Sequence, residues 1–159
     1  MEEIYIQQLQ LGPMLNFVYL IGSQATREVA VIDPAWEVAK ILEVAQRDEV
    51  KITHILLTHF HFDHTNGISE LLEKVPAKVY IHKEDADYLD EPPSEMVKVD
   101  SGDILSVGGL KVELLHAPGH TPGSQCFLVG SPMLVQMLRG ADEDFRRYFK
   151  VVADFDTVM

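Results

Sequence analysis

Apolar and polar positions alternate from the start of the chain. Ile4 to Leu9 and Leu15 to Ile21 read as β-strands, with Gly12-Pro13 supplying the turn between them. Glu28 to Ile32 reads as a third strand, closed by Asp33-Pro34. The period then changes, and Val38, Ile41, Leu42 and Ala45 share one face of a helix. Ile52 to Leu57 has the look of a buried strand and runs directly into Thr58-His59-Phe60-His61-Phe62-Asp63-His64. After Asn66-Gly67, the residues Ile68, Leu71, Leu72 and Val75 predict a short helix ending near Pro76. Lys78 to Ile81 predicts a strand and His82 to Leu89 a helix. Ile104 to Val107 and Leu110 to Leu115 flank Gly108-Gly109, the signature of a two-residue hairpin turn. Pro118 to Gly123 forms a stiff loop, Gln125 to Val129 a further strand, and Ala141 to Val152 a charged helix. Strands outnumber helices, and helices follow groups of strands. The pattern therefore predicts an α+β chain of two layered sheets with helices outside, and not a doubly wound parallel sheet. No repeat or linker interrupts it, so residues 1–159 read as a single domain.

Composition adds a core and removes several partners. Hydrophobic residues make up 47% and charged residues 24%, enough apolar material for a packed interior. Thirteen basic against 25 acidic residues leave a net charge of −12, which repels nucleic acid and anionic lipid alike. The basic residues are scattered, with Arg146-Arg147 the single adjacent pair, so no patch offsets that repulsion. The lone Cys126 excludes an intrachain disulfide and fits a reducing compartment. Met1-Glu2-Glu3-Ile4 lacks the basic, apolar start of a signal peptide, and no apolar run approaches the ~18 residues that span a bilayer. The expectation is a cytoplasmic protein with a small-molecule substrate, and neither nucleic acid nor membrane as partner.

The histidines point to chemistry. Four of the seven, His54, His59, His61 and His64, fall within eleven residues. In an extended segment His59 and His61 project to the same side and can reach one ion. Asp63 and His64 are consecutive, diverge, and bring at least one side chain toward a second position. His120, in a loop stiffened by Pro118 and Pro122 and freed by Gly119 and Gly123, is the candidate third histidine. Imidazoles suit Zn, Fe and Mn, and three protein ligands with an open position form the catalytic arrangement, in which the pKa of bound water falls to about 7.

Thr58 to His64, followed by Ala117-Pro118-Gly119-His120-Thr121-Pro122-Gly123-Ser124, resembles the metallo-β-lactamase-fold hydrolases. Within them it is most similar to the glyoxalase II-like group, the hydroxyacylglutathione hydrolases. The strand ending in Ile32-Asp33-Pro34 and the hairpin before His116 share the likeness, which covers roughly residues 1–130. The resemblance implies an αββα sandwich with the site at one edge, where loops from both sheets meet. It implies His59, His61 and His120 on a first metal and Asp63 and His64 on a second, with one or two Zn ions and Fe or Mn as substitutes. It also implies hydrolysis of a thioester or related acyl bond by metal-bound hydroxide, with Asp63 orienting the water or accepting its proton.

Beyond Gly130 the likeness fails. The family's Gly-Asp pair, whose aspartate bridges both metals, has no counterpart in Ser131 to Gly140, and the first aspartate is Asp142. The family's final histidine is absent too, although Asp154 to Met159 resembles the strand before it. The expectation is a shortened C-terminal part lacking a segment near Met133 to Arg139, and a mononuclear centre. Asp142 and Asp144 read as exposed acids at a helix start. A catalytically defective metal-binding form and a mononuclear iron sulfur dioxygenase are the alternatives to a hydrolase. Among other residues, Cys126 and Trp36 read as packing, and Phe60 and Phe62 as packing or pocket wall. His54 reads as packing or a hydrogen-bond partner, and His116 as lining or facing solvent. Asp33 is expected to cap the following helix in preference to bonding a ligand histidine. The acidic stretch 84–103 reads as solvated surface, made irregular by Pro92-Pro93.

Overall fold

The computed structural model describes residues 4–130. Strand β1 (Ile4–Leu11) pairs antiparallel with β2 (Asn16–Ser23), Leu11 opposite Asn16, and β2 pairs antiparallel with β3 (Glu28–Ile32). The chain then crosses through α1 (Val38–Arg47) to β4 (Lys51–Leu56), which lies parallel to β3. Two short helices, α2 (Phe62–Thr65) and α3 (Ile68–Leu72), lead to β5 (Lys78–His82), and β6 (Met96–Val99) completes a six-stranded mixed sheet in sequence order. Strands β7 (Ile104–Val107), β8 (Leu110–His116) and β9 (Gln125–Gly130) form a separate antiparallel sheet.

Strand alternation sorts the large sheet's side chains into two cores. Val18, Leu20, Val29, Val31, Ile55, Val79 and Ile81 face the helix layer, where Val38, Ile41, Ile68 and Leu71 cover them. The intervening Ile21, Ala30, Leu56 and Tyr80 face the small sheet and meet Val107, Val112 and Leu114. This layering, helices over one face of the large sheet and the small sheet over the other, is an α+β sandwich as the sequence predicted. The helix expected over Ala141 to Val152 lies outside the described residues. The Gly108-Gly109 turn takes positive φ at both glycines, +59° and +95°, as a tight hairpin of this type requires. At its tip the Thr26 hydroxyl donates to the carbonyl of Gly108 (3.0 Å), tying the two sheets together.

Two expectations need correction. His82 closes β5 opposite Val99, so it cannot open a helix, and the following segment makes only a single 3₁₀ turn, Ala86–Tyr88. Pro92-Pro93 then forbids helical continuation at the preceding residue. The stretch 84–103 is not uniformly solvated surface either, because it contains β6 and the fully buried Asp85.

Candidate metal centre

The parallel strands β3 and β4 end together, and the site lies just beyond them, on the side where such sheets carry their ligands. His59 and His61 lie in the segment between β4 and α2, and their rings stand 4.7 Å apart between centroids. His120 reaches in from the loop before β9, 4.7 Å from His59 and 4.6 Å from His61. The three rings are nearly perpendicular to one another, and one nitrogen of each lies within 4.8 Å of the others, so the triad can hold a metal ion. Burial is graded, with His59 buried, His61 half-buried and His120 exposed, which leaves the triad open on the His120 side.

Hydrogen bonding fixes which nitrogen of His59 faces inward. The Thr58 hydroxyl donates its one proton to Asp33 Oδ2 at 2.6 Å. Toward His59 Nδ1, 2.9 Å away, it can only accept, so Nδ1 carries the hydrogen and Nε2 keeps its lone pair. That Nε2 is buried and has no hydrogen-bond partner. A buried polar atom without a partner is costly unless something else satisfies it. Burial, reinforced by His64, His120 and His61, pushes the ring's pKa down to about 4, which keeps it neutral and ready to ligate. A partnerless imidazole nitrogen among two further imidazoles fits a Zn-type ion.

Asp63 and His64 sit on α2 beside the triad. His64 lies 4.1 Å from His59 between ring centroids, its Nδ1 is 3.0 Å from Asp33 Oδ2, and its Nε2 is 3.5 Å from Asp63 Oδ2. Asn16 Nδ2 donates to the Asp63 carboxylate (3.0 Å) and to its backbone carbonyl (2.8 Å). Burial raises the Asp63 pKa, but the Asn16 bond and the nearby His64 outweigh it and hold the carboxyl below its ordinary value. Among the described residues, the triad is the one donor group compact enough for an ion, and Asp142 and Asp144 lie outside them.

Asp33 does not cap α1, contrary to the sequence expectation. Glu37 occupies the cap position without a side-chain cap bond, whereas Asp33 accepts from Thr58 N (2.7 Å), from the Thr58 hydroxyl and from His64. Its left-handed φ of +51°, which aspartate tolerates better than most residues, turns the carboxylate back under the site. His116 neither lines the triad nor faces solvent freely, since its Nε2 donates to Pro122 O (2.8 Å) and its ring stacks on His82 at 4.0 Å. His54 packs on Tyr80 at 5.4 Å, and Cys126 is half-buried with a thiol pKa raised by burial, as expected of a packing residue. Phe60 stacks on Tyr88, while Phe62 is exposed and meets Trp36 edge-on. Phe62 also lines a cavity of about 220 Å³ with Asn66, Leu89 and Glu91, although none of the histidines does. Sequence reasoning missed Thr58, Asn16, Asp85 and Gln125, whose roles depend on partners distant along the chain.

Residues 11–134 match the family model described as "Metallo-beta-lactamase superfamily". A shorter stretch, residues 122–156, also matches the model "LonB-like, AAA domain". The chain is 33% identical over 113 residues to the "Probable polyketide biosynthesis zinc-dependent hydrolase PksB" of Bacillus subtilis (strain 168), covering 71% of this chain and 50% of that protein. It is 36% identical over 109 residues to a hydroxyacylglutathione hydrolase of Gloeobacter violaceus, covering 68% and 42%. The crystal structure of ETHE1 from Myxococcus xanthus superimposes with a TM-score of 0.70 at 33% identity, over 79% of this chain and 54% of the other. The chain thus spans about half the length of the curated relatives it matches. Fold, histidine triad and family match agree: the chain belongs to the metallo-β-lactamase superfamily.

Proposed function

We propose that the chain carries the metal site of a hydrolase that cleaves a thioester or related acyl bond of a small molecule in the cytoplasm. The observation that carries this reading is the buried, partnerless Nε2 of His59, set among His61 and His120. The names of the similar proteins, a zinc-dependent hydrolase and a hydroxyacylglutathione hydrolase, support the reaction class. His59, His61 and His120 would hold one zinc ion, which supplies a Lewis acid and lowers the pKa of water.

The chain's own groups account for the rest. Thr58 holds His59 in the ligating tautomer, and Asp33 holds both Thr58 and His64. Asp63, kept ionised by Asn16 and His64, orients a water molecule by accepting its hydrogen bond. Its lowered pKa makes it a better orienting acceptor than a proton store. Phe62, exposed and next in the chain to His61, offers an apolar surface for an acyl group.

The test is thioester hydrolysis by chelator-treated protein, before and after zinc or iron is restored. Activity should return with one equivalent of zinc and be absent from His59→Ala and His120→Ala. Either variant working at the wild-type rate sinks the proposal. A protein that binds stoichiometric zinc and stays inert is the catalytically defective form.

A further inference from the structure

His120 faces a positioning problem that His59 and His61 do not. They leave the large sheet together, whereas His120 arrives from the loop feeding the small sheet. The loop's own hydrogen bonds are local: Thr121 N donates to Ser124 Oγ (2.9 Å), Ala117 N to Ser124 O (2.8 Å) and Gly119 N to Thr121 O (3.2 Å). None of these sets the distance to the other sheet, and Gln125, which donates to Leu57 O and Thr58 O, ties only the end of the loop where β9 begins.

Asp85 does reach across. It follows β5 of the large sheet and is fully buried, and its two carboxylate oxygens are divided between the residues that flank His120 on its C-terminal side. Oδ2 accepts from the Thr121 hydroxyl at 2.6 Å and Oδ1 from the Gly123 amide at 2.6 Å. The proton directions are fully determined. Thr121 gives its only hydroxyl proton to Asp85, so it accepts from Ser124 Oγ at 2.7 Å, and the chain of bonds runs toward the carboxylate. The approach is so close that a Cβ on Gly123 would lie 2.7 Å from Asp85 Cγ. A buried side chain with both oxygens committed to one loop is a fixed anchor for it.

We infer that Asp85 is a positioning residue for the metal site, holding the His120 loop at the distance from β4 that lets His120 share an ion with His59 and His61. The inference rests on the reading of the triad as a metal site. Replacing one oxygen by an amide nitrogen removes the charge and leaves one acceptor for two donors. With the carbonyl on Gly123, Thr121 has to accept from the amide and turn its proton to Ser124, so Asp85→Asn weakens the anchor and reverses its bond chain while keeping volume.

The test is zinc affinity, by competition with a chromophoric chelator, for the full chain as wild type, Asp85→Asn, His120→Ala and the double variant. Asp85→Asn should bind about 10- to 100-fold more weakly than wild type. In the His120→Ala background it should cost nothing further, because the loop then has no ligand to deliver. A merely structural role predicts the full loss again in the double variant, and that outcome overturns the inference. Should Asp85→Asn fail to fold, Thr121→Val removes the same bond from the other side and is carried through the same cycle. A wild type that takes up no zinc overturns both this inference and the proposed function. A wild type that binds while the decisive variant binds equally well overturns this inference alone.

Discussion

Thr58 is bonded on two sides, to Asp33 through its proton and to His59 through its lone pair. Thr58→Val keeps the shape and removes both bonds, so His59 loses the group that fixes its tautomer. Zinc affinity should fall about 10- to 100-fold, measured by chelator competition, with the fold retained by circular dichroism. His59 also makes the metal-free protein acid-sensitive. Its pKa is about 4 in the fold against an ordinary 6.5, so between those values the unfolded chain takes up a proton that the folded chain refuses. Stability of the chelated protein should therefore drop as pH falls from about 6.5 toward 4. Thermal midpoints recorded across that range check it, and His59→Gln should flatten the slope. The triad itself was legible in the sequence, because two histidines two residues apart in extended backbone must share a side. Asp33 and Asp85 were not, since what distinguishes each from an ordinary loop acid is a partner 25 or 36 residues away.

Elements were readable where burial is strong and unreadable where it is slight. The hairpin at Gly108-Gly109 and the two-faced strands β3, β4 and β5 carry most of the core, and their patterns show it. The edge strand β6 buries only Val99 fully and exposes Val97 and Lys98, so four residues hold no alternation to detect. Its exposed Lys98 pairs with Asp87 (2.6 Å), a charged edge that discourages pairing with another chain. Helix α1 is held to β1 by the Tyr5 hydroxyl, which donates to Asp48 Oδ2 at 2.7 Å. Burial and that bond push the Tyr5 pKa up to about 12. Tyr5→Phe should cost about 1 kcal/mol, read from urea unfolding. Leu114→Ala, at the fully buried contact between the sheets, should cost about 2–5 kcal/mol.

The molecule as a whole is strongly acidic, and its proposed site borrows residues from both sheets. A net charge of −12 slows the approach of an anionic thioester, so salt that screens beyond about 10 Å should raise its kcat/KM. A neutral thioester should show no such dependence. The site's two-sheet construction also limits how it can move. Thr26 fastens the sheets at the hairpin end of the small sheet. At the other end Gln125 fastens them, through Nε2 to Leu57 O (2.8 Å) and through its amide to Thr58 O (2.9 Å). A sandwich pinned at both ends cannot gape like a clam around one of them. In amide hydrogen exchange, Gly123 and Gln125 should therefore resist as long as the central strands do, exchanging with the whole domain and not by local fraying.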